Sequence, residues 1–567
     1  MSEYMIIDGI KAEINGEKNI LELARKVGIE IPAFCYDPDL SIYGACRMCM
    51  FEDERGRLEA SCSTPPRAGM VIKTNTAKLR KYRKMILELL LANHCRDCTT
   101  CHKSGKCKLQ EFAYKFNIEG VRFPNNSCSL AHDTSSNCIV REPGKCILCG
   151  KCVRMCNEIQ SVGAIDYAFR GSKMKIATAF DGDIANSPCV GCGQCAAVCP
   201  TGAIVIKDDA DLVWKALGDN EVEVSVQIAP AVRVALGEEF GFKKGDNVMG
   251  KLVTALKEMG FDKVYDTNIG ADLTIMEEAN EFVNRVQNGG KLPMFTSCCP
   301  AWIRFAENEY PELLDNLSTC KSPMQMLAAT VKDTYKGDKK HVHVAIMPCS
   351  AKKDEGKRAK FGGAVDYVLS TQEVVRMIRE HGIHFNRLQD TNADNPFEEY
   401  TGAGVIFGAS GGVMEAALRT AVETITGKAL ESVEFTEVRG MEGVKEASYD
   451  VNGTEVKVAV VSGLKNAREI CEKVKKGEAD YAFIEIMSCP GGCINGAGQP
   501  FVDSYTRSDV DYKGLRAGGL YADDKNAEKR KSHDNTAIKE LYKNYLGEVG
   551  GHKAHELLHT HYEPKKK

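Results

Sequence analysis

The first 80 residues alternate short apolar runs with turn residues in the order typical of a small β-grasp fold. Two predicted strands meet at the Asp8-Gly9 turn, a second turn follows at Asn15-Gly16, and the apolar positions of ILELARKVG (20–28) recur at helical spacing. A cysteine-bearing loop and further strands complete this segment. Apolar side chains every three or four positions then predict a helix over residues 79–92.

From about residue 210 onward, short aliphatic runs alternate with amphipathic helical stretches such as NAREICEKVKKG (466–477). This order predicts an α/β region with largely parallel sheets. Open α/β sheets bind ligands beyond the carboxyl ends of their strands, and Cys349 and Cys489 each follow such a run. The predicted strands are EVSVQIAP (223–230), HVHVAIMP (341–348), AGVIFGA (403–409), EVKVAVV (455–461) and YAFIEIM (481–487).

Length, charge and cysteine content narrow the class of protein. A chain of 567 residues suits three to five domains. Because 74 basic residues face 78 acidic ones, the net charge of -4 gives no signal for nucleic acid or a membrane surface. We expect a cytoplasmic protein, since the start resembles no export signal and no run of 18 apolar residues occurs. In that compartment its 25 cysteines are expected to bind metals.

Eighteen of those cysteines precede residue 200, and eight of them form two C-x2-C-x2-C-x3-C runs, an internal repeat. This spacing is the signature of a ferredoxin with two 4Fe-4S clusters, in which the fourth cysteine of each run binds the other cluster. The first run is followed by Asn157 where the second has Pro200, and zinc is a weaker alternative. We predict one cluster on Cys146, Cys149, Cys152 and Cys199, and one on Cys156, Cys189, Cys192 and Cys195.

Two further groups precede these runs. The β-grasp segment carries C-x10-C-x2-C-x12-C, which departs from the plant-type ferredoxin spacing in its first gap. A 2Fe-2S cluster is the preferred interpretation, with structural zinc as the alternative. The predicted helix is followed by H-x3-C-x2-C-x5-C, where Cys95 could replace His94 as a ligand. The predicted ligands are Cys35, Cys46, Cys49 and Cys62 for the first group, and His94 or Cys95, Cys98, Cys101 and Cys107 for the second.

The first 210 residues resemble the amino-terminal part of the large iron-sulfur subunit of respiratory NADH dehydrogenases. The corresponding motif of that subunit uses a histidine, so the resemblance implies His94 as the ligand of a third 4Fe-4S cluster. A neutral imidazole in place of a thiolate makes a cluster less negative and raises its potential.

The rear part holds cysteines in three separated segments: FTSCCPAW (295–302), MPCSAKKDE (347–355) and IMSCPGGCINGAGQP (486–500). Four of their five thiols could bind one more 4Fe-4S cluster. The remaining thiol would then be a candidate acid or base beside that cluster.

These three segments resemble the signature segments of iron-iron hydrogenases, and the whole chain resembles the clostridial type with four accessory clusters. The likeness extends to KRKSHDN (529–535) and AHELLH (554–559). It implies reversible reduction of protons to dihydrogen at an H-cluster, a 4Fe-4S cluster joined to a di-iron subsite with carbon monoxide, cyanide and a bridging azadithiolate. The implied ligands are Cys299, Cys349, Cys489 and Cys493, the last bridging to the subsite.

The resemblance also implies roles for residues around that cluster. Cys298 would be the first proton relay, followed by Glu278, Ser318 and Glu281 toward Arg285. Lys352 would donate a hydrogen bond to an iron-bound cyanide. Taken alone, Glu278 and Glu281 would more often be a solvated helix face, and Lys352 a surface lysine. The residues implied to pack around the di-iron site, or otherwise to be ordinary core, are Ala229, Pro230, Pro323, Met347, Phe407 and Met487.

Some features depart from the family or fall outside it. Ala231 and Met324 stand where relatives often have Ser and Gln, which affects hydrogen bonding around the subsite. GASGG (408–412) lacks a full phosphate-binding motif and is interpreted as a tight turn. The histidines at 552, 555, 559 and 561 are interpreted as a solvated or packing helix rather than a metal patch. Cys95, Cys128, Cys138, Cys320 and Cys471 receive no role beyond that of structural thiols.

We predict five regions: a β-grasp 2Fe-2S module (1–78), a His/Cys 4Fe-4S module (79–125), a two-cluster ferredoxin module (126–209), a two-lobed α/β H-cluster domain (210–520) and a packing tail (521–567). The family partner is a ferredoxin or similar carrier, with a bifurcating complex containing a flavin subunit as the alternative. Dedicated maturation proteins would install the subsite. A relay subunit of an NADH or formate dehydrogenase, or a sensing or cluster-assembly relative, is the competing class; the rear motifs and Cys298 argue against both.

Overall fold

The computed structural model describes residues 3–124, 130–394, 399–451 and 453–565. Cys128 lies outside these ranges, and the cysteines inside them are free thiols. Within the same ranges, no helix combines the length and apolar character needed to cross a membrane.

The amino-terminal module is a five-stranded sheet in the order β2-β1-β5-β3-β4, with β1 and β5 parallel. The hairpin between β1 and β2 turns at Asp8 and Gly9, both with positive φ, as the sequence predicts. Asn19 caps the helix by accepting a hydrogen bond from the Glu22 N–H at 3.0 Å. The elements are β1 (Tyr4–Ile7), β2 (Ile10–Glu13), α1 (Ile20–Lys26), β3 (Met50–Asp53), β4 (Leu58–Ala60) and β5 (Val71–Lys73).

The second module begins with the predicted helix, which starts two residues earlier than expected because Thr76 caps it. The third shows its internal repeat in the backbone: Gly150 and Gly193 hold the same left-handed conformation directly before α4 and α5. Strands β6 and β9 pair antiparallel and close this module. The elements are α2 (Ala77–Ala92), α3 (Lys108–Lys115), β6 (Ile139–Arg141), α4 (Lys151–Arg154), β7 (Asp166–Ala168), β8 (Lys175–Ala177), α5 (Gln194–Ala197) and β9 (Ile204–Ile206).

The rear half contains two four-stranded sheets, one in each lobe. The first, β11-β10-β13-β14, is parallel throughout; Val226 and Val344 pair at its centre and are fully buried. The elements of this lobe are α6 (Ala210–Leu217), β10 (Val222–Ile228), α7 (Pro230–Arg233), α8 (Met249–Glu258), β11 (Lys263–Asp266), α9 (Asn268–Gln287), α11 (Pro323–Thr334), β13 (Lys340–Met347), α12 (Ala351–Lys357), β14 (Tyr367–Ser370) and α13 (Thr371–His381).

The second sheet, β12-β17-β16-β15, is parallel except for the β15-β16 hairpin. Mixed and parallel sheets therefore make up the rear half, in agreement with the predicted class. Its elements are β12 (Met294–Phe295), α10 (Pro300–Glu309), α14 (Gly402–Val405), α15 (Gly412–Thr426), β15 (Val444–Val451), β16 (Thr454–Ser462), α16 (Leu464–Lys476) and β17 (Phe483–Met487).

One predicted strand is wrong. Residues 403–409 form the end of α14 and a 3-10 turn, not an extended segment. A short buried apolar run has the same composition in either conformation, so periodicity could not decide between them. A Cβ at Gly404 would lie 2.8 Å from the Asn268 carbonyl oxygen, so the glycine lets this short helix pack directly on α9. The following GASGG segment is the predicted tight turn, with Gly411 at φ 94°.

The carboxyl-terminal segment packs on the first lobe. Ile538, Leu541 and Leu558 share a buried cluster with Ile269 of α9 and Leu327 of α11. The predicted boundary at residue 520 falls inside α18, which runs on without a break. The elements are α17 (Ser504–Asp509), α18 (Tyr512–Asn526), α19 (Thr536–Leu541) and α20 (His552–Leu558).

Candidate functional site

A buried cavity of about 90 Å³ lies between the two lobes, at the carboxyl ends of β10, β13 and β17. Its wall includes the cysteines of all three rear segments. Cys299 starts α10, Cys349 follows β13, and Cys489 follows β17. The parallel topology thus brings together segments separated by up to two hundred residues. The five thiols at the cavity belong to Cys298, Cys299, Cys349, Cys489 and Cys493.

Two glycines allow these loops to approach each other. A Cβ at Gly496 would lie 2.1 Å from the Pro348 carbonyl oxygen, and one at Gly492 would lie 2.5 Å from the Ser410 amide nitrogen. Gly492 also has φ 97°, which disfavours any side chain. The glycines of the third segment therefore have a steric role. Without side chains, they allow the loop that carries Cys493 to pack directly on the Cys349 loop.

The electrostatics of the cavity suit thiols that bind a metal cluster. Burial raises the pKa of Cys349 to about 11, and the neighbouring Cys299 adds to the shift. Burial and the same neighbours raise the pKa of Cys489 and Cys493 as well. Clustered buried thiols resist ionisation, and a cationic iron centre would reverse this by taking them as thiolates. The donor set and the convergence of the loops fit a 4Fe-4S cluster.

Hydrogen bonds from Gln194 and Ser488 reach the sulfur atoms, and no pattern in the sequence predicts them. The Gln194 side-chain amide donates to Cys489 Sγ at 3.2 Å and to the Asn495 carbonyl oxygen at 3.0 Å. The Ser488 N–H donates to Cys299 Sγ at 3.4 Å. Gln194 belongs to the two-cluster module and adjoins Cys195, so it joins that module to the cavity. In the sequence it occupies a spacer position of the cysteine motif, where any residue is allowed.

Lys352 is buried with its ammonium group near the cavity. Its Nζ lies 2.6 Å from Glu355 Oε2 and donates to the Cys298 carbonyl oxygen at 3.2 Å. Burial alone would lower the pKa of Lys352, but the Glu355 carboxylate outweighs it and raises that pKa. Ser322 donates to the other Glu355 oxygen at 2.7 Å. The lysine is therefore a fixed cation at the wall and not a surface residue.

Three members of the predicted proton relay, Glu278, Glu281 and Arg285, lie on α9, and Ser318 contacts it. Burial, assisted by the Glu281 carboxylate, raises the pKa of Glu278 to about 8. Ser318 Oγ donates to Glu281 Oε2 at 3.0 Å. Arg285 donates to Glu281 Oε1 at 2.6 Å. At the inner end, burial and the Glu278 carboxylate raise the pKa of Cys298.

Most of the remaining wall is apolar, and Thr267 and Ser488 are its hydroxyl-bearing members. All six residues predicted to pack around the subsite line the cavity, as do Ala231 and Met324, the two positions that depart from the family. Ala231 and Met324 offer no side-chain hydrogen bond, so polar contacts to a bound group must come from elsewhere. The six are Ala229, Pro230, Pro323, Met347, Phe407 and Met487.

Two smaller cavities in the third module separate the eight cysteines of its two motif runs into the two predicted sets. Cys146, Cys149, Cys152 and Cys199 line one cavity, and Cys156, Cys189, Cys192 and Cys195 line the other. Burial raises the pKa of Cys149 and of Cys189 to about 11. As in the rear half, four thiols converge on each cavity. The two sets therefore fit two cubane clusters.

The four cysteines of the β-grasp module also lie side by side. Cys35 exchanges hydrogen bonds with Cys46 and Cys62, and Cys49 with Cys62. This compact tetrad fits a 2Fe-2S cluster.

His94 and Cys95 differ in their surroundings. His94 is buried, and burial together with the Lys145 charge lowers its pKa to about 4, so the imidazole is neutral. A neutral imidazole is the form that binds a metal. The Cys95 thiol donates instead to Asp97 Oδ2 at 3.1 Å. Cys101 faces the two-cluster module, because a Cβ at Gly202 would lie 2.7 Å from its sulfur.

Family models match almost the whole chain. The model described as iron only hydrogenase large subunit, C-terminal domain, matches residues 222–497, and that of the iron hydrogenase small subunit matches 510–565. The front half matches a 2Fe-2S iron-sulfur cluster binding domain (5–77), an NADH-ubiquinone oxidoreductase-G iron-sulfur binding region (83–122) and a 4Fe-4S dicluster domain (145–203).

Curated relatives align along the full length. The chain is 43% identical over 578 residues to the NADP-reducing hydrogenase subunit HndD of Solidesulfovibrio fructosivorans, covering 98% of both proteins. It is 39% identical over 574 residues to iron hydrogenase 1 of Clostridium pasteurianum, covering 99% of both. A solved structure of the FeFe hydrogenase HydA1 from Chlamydomonas reinhardtii superposes with a TM-score of 0.56 at 39% identity, covering 64% of this chain and all of that one.

Proposed function

The chain belongs to the iron hydrogenase family, and from this premise we propose how its residues divide the work of hydrogen turnover. The protein is an oxidoreductase that oxidises dihydrogen and reduces protons, with 2Fe-2S and 4Fe-4S domains in front of an H-cluster domain. The proposal concerns ligands, proton carriers and electron partners.

The observation that carries it is the convergence of five cysteines from three segments on one buried apolar cavity. Cys299, Cys349, Cys489 and Cys493 would hold the 4Fe-4S part of the H-cluster, and Cys493 would also hold the di-iron subsite with its carbon monoxide, cyanide and azadithiolate ligands. When bound, this group supplies the open iron position at which dihydrogen is formed or split. Cys298 stays outside the ligand set and is free to move protons.

The chain's own residues supply the proton route and the dry walls. For hydrogen production, a proton moves from Glu281 through the Ser318 hydroxyl to Glu278 and on to the Cys298 thiol. Because Glu278 has a pKa of about 8, it is mostly protonated at neutral pH and can pass a proton without leaving a buried anion for long. The Lys352 ammonium group would donate a hydrogen bond to a cyanide ligand and stabilise the negative charge on it. The apolar wall formed by Phe407 and its neighbours excludes water.

Four accessory clusters supply electrons by two converging routes. The 2Fe-2S tetrad adjoins the two-cluster module, since Cys35 and Cys149 share one buried cluster of side chains. The His94 cluster adjoins the same part of that module, since Cys199 lies close enough to Cys107 to contribute, after burial, to raising the Cys107 pKa. From there the second cubane, bound near Cys195, leads to Cys489 through Gln194.

The partner is a ferredoxin or a similar carrier, and maturation proteins install the subsite. The relative named as a subunit of an NADP-reducing hydrogenase favours a second arrangement, in which a partner subunit delivers the electrons. Hydrogen evolution from reduced ferredoxin by the purified, matured chain tests this. A rate comparable with that of a reduced dye supports direct transfer. Evolution with the dye alone would assign electron delivery to a partner subunit.

The choice between His94 and Cys95 gives a direct test of the ligand proposal. His94→Ala is expected to remove one 4Fe-4S signal from the electron paramagnetic resonance spectrum of the reduced protein, because a buried neutral ligand is lost. Cys95→Ser is the matched control and should keep every signal. Loss of the signal in Cys95→Ser, with His94→Ala unaffected, would reverse the assignment.

Gln194→Leu is expected to lower the potential of the 4Fe-4S part of the H-cluster. A hydrogen bond to sulfur favours the reduced, more negative state, and its loss should cost roughly 40 mV if the bond contributes about 1 kcal/mol. A redox titration followed by infrared spectroscopy measures the shift. Gln160→Leu is the matched control, since this buried glutamine donates to the Ser488 carbonyl oxygen at 3.0 Å and not to sulfur. Equal potentials in all three proteins would refute the role.

A further inference from the structure

Glu281 lies at a junction, with possible proton exits on two sides. On one side, Arg285 donates a hydrogen bond to Glu281 Oε1. On the other, the Thr319 hydroxyl donates to its Oε2 at 3.2 Å, and the Thr319 N–H donates to the same oxygen at 3.0 Å. The two sides differ in chemistry, and the difference decides where a proton can travel.

Among the described residues, the hydrogen bonds of Arg285 lead to Glu281 and to backbone carbonyls, and to no histidine or further carboxylate. A guanidinium stays protonated in proteins and cannot hand on a proton. Its remaining N–H groups donate to backbone carbonyls, including those of Asn316 at 3.3 Å and Leu317 at 2.8 Å. Arg285 therefore positions Glu281, and a proton leaving on that side must pass directly to water.

The Thr319 side leads to a histidine. His559 Nδ1 lies 2.8 Å from Thr319 Oγ1, and Nε2 lies 3.0 Å from Glu277 Oε2. The ring is fixed by the backbone, because the Thr560 N–H donates to the Thr319 carbonyl oxygen at 2.7 Å and Lys321 N–H to that of Leu558 at 2.8 Å. The carboxyl-terminal segment is thus held alongside the relay segment.

Glu277 gives His559 the means to carry a positive charge. This glutamate is fully buried and accepts hydrogen bonds from the Tyr542 hydroxyl and the Gly550 N–H. A buried carboxylate bonded to one ring nitrogen orients the imidazole and stabilises its protonated form. His559 itself is only 8% exposed, so the pair lies beneath the surface.

The His555 ring lies between His559 and the protein surface. His555 stacks on His559 with ring centroids 4.6 Å apart and planes 3° apart, and His555 is exposed. The ligand atoms of Glu281, Cys320 and His559 all lie within 4.8 Å of one another, so no step in this direction is long. The titratable groups next to His559 are Glu277, Glu281, Cys320 and His555; Tyr542 is bonded to Glu277, and His561 lies beside His555.

We propose that the proton pathway branches at Glu281, with a second arm through Thr319 and His559 to solvent beside His555. In the inward step, His559 Nδ1 gives its proton to Thr319 Oγ1 as the Thr319 hydroxyl proton passes to Glu281 Oε2. The imidazolium becomes neutral imidazole and the Glu281 carboxylate becomes a neutral acid. Solvent beside His555 then returns a proton to His559 Nδ1, and the reverse sequence serves hydrogen oxidation.

This inference rests on the proposed relay from Cys298 to Glu281, and the test separates the two. Thr319→Val removes the hydroxyl link while keeping the side-chain shape and the backbone N–H bond to Glu281. His559→Gln removes the titrating ring, and Arg285→Met removes the positioning group of the first arm. His561→Gln is the matched control, since that exposed histidine has no described contact with Thr319 or Glu277. Each is measured in the matured full chain for hydrogen evolution, pH-rate profile and infrared bands.

With parallel arms, each single change should reduce turnover only about threefold, whereas Thr319→Val with Arg285→Met should reduce it about 100-fold. His559→Gln should give the same pattern and also change the pH-rate profile, which a merely structural role would leave unchanged. The infrared bands should stay in place throughout. A double loss no greater than the product of the single losses would overturn the branch. Glu281→Gln tests the relay itself: full activity there would reject the relay, whatever the branch variants show.

Discussion

Cys298→Ser is expected to keep the infrared bands of iron-bound carbon monoxide and cyanide and to lose more than about 100-fold of hydrogen turnover. Cys298 is not among the proposed ligands, so the cluster should assemble normally. The serine hydroxyl is a far weaker acid than a thiol. The Cys298 pKa is already raised by burial and by the Glu278 carboxylate, so a still weaker acid at this position would not release its proton at a useful rate.

Cys471→Ser is the matched control for that change. Cys471 is fully buried, its pKa is, like that of Cys298, raised by burial, and it packs in the second lobe among apolar side chains. Its replacement should leave both bands and turnover in place. Retained turnover in Cys298→Ser would refute the relay role, and loss of the bands would instead make Cys298 a residue needed to hold the subsite.

Glu278→Gln should reduce turnover by about 100-fold or more, because an amide of the same shape cannot carry a proton between Cys298 and Ser318. In the native protein the Glu278 pKa of about 8 also predicts that hydrogen evolution declines as the pH rises through 8, when the carboxyl loses the proton it must deliver. Rate measurements across this range, with the infrared bands as a check on assembly, test both statements. The exposed Glu258→Gln serves as a control and should behave like the native protein.

The raised pKa of Glu278 also argues that a defect of Glu278→Gln would not come from a loss of stability. At pH 7 the unfolded glutamate is ionised while the native one is mostly protonated, so the native state binds a proton that the unfolded state does not. Stability contributed by this group therefore decreases as the pH rises from the unfolded value toward 8. A neutral glutamine avoids that cost, and denaturant unfolding at pH 7 should find the variant at least as stable as the native chain. Marked destabilisation would count against the buried position of this carboxyl.

Much of the architecture followed from local patterns. Turn dipeptides and helical spacing predicted the β-grasp hairpin and α2, since both depend on neighbouring residues. The two cysteine runs predicted which thiols share a cavity in the third module, because three thiols on one tight loop need a fourth from outside. The strands that precede Cys349 and Cys489 predicted where the rear cavity lies, because parallel strands end at the same edge of a sheet.

What the sequence left open depends on contacts between distant segments. Residues 403–409 were predicted as a strand, and only their packing on α9 and α18 explains the helix. Gln194 contacts a sulfur 295 positions away, and His559 contacts a threonine 240 positions away. A glutamine between two motif cysteines and a histidine in a polar tail carry no local sign of such partners. The first becomes significant only once the modules are docked, and the second only once the tail lies beside Thr319.

Infrared spectroscopy of the matured chain, combined with hydrogen evolution from a reduced dye, tests the central claim most directly. If four cysteines bind the cluster in the apolar cavity and the fifth thiol relays protons, the matured chain should show sharp bands of iron-bound carbon monoxide and cyanide. It should also evolve hydrogen. Absence of both from protein matured in the presence of its maturation proteins would contradict the assignment of this cavity as the site of hydrogen turnover.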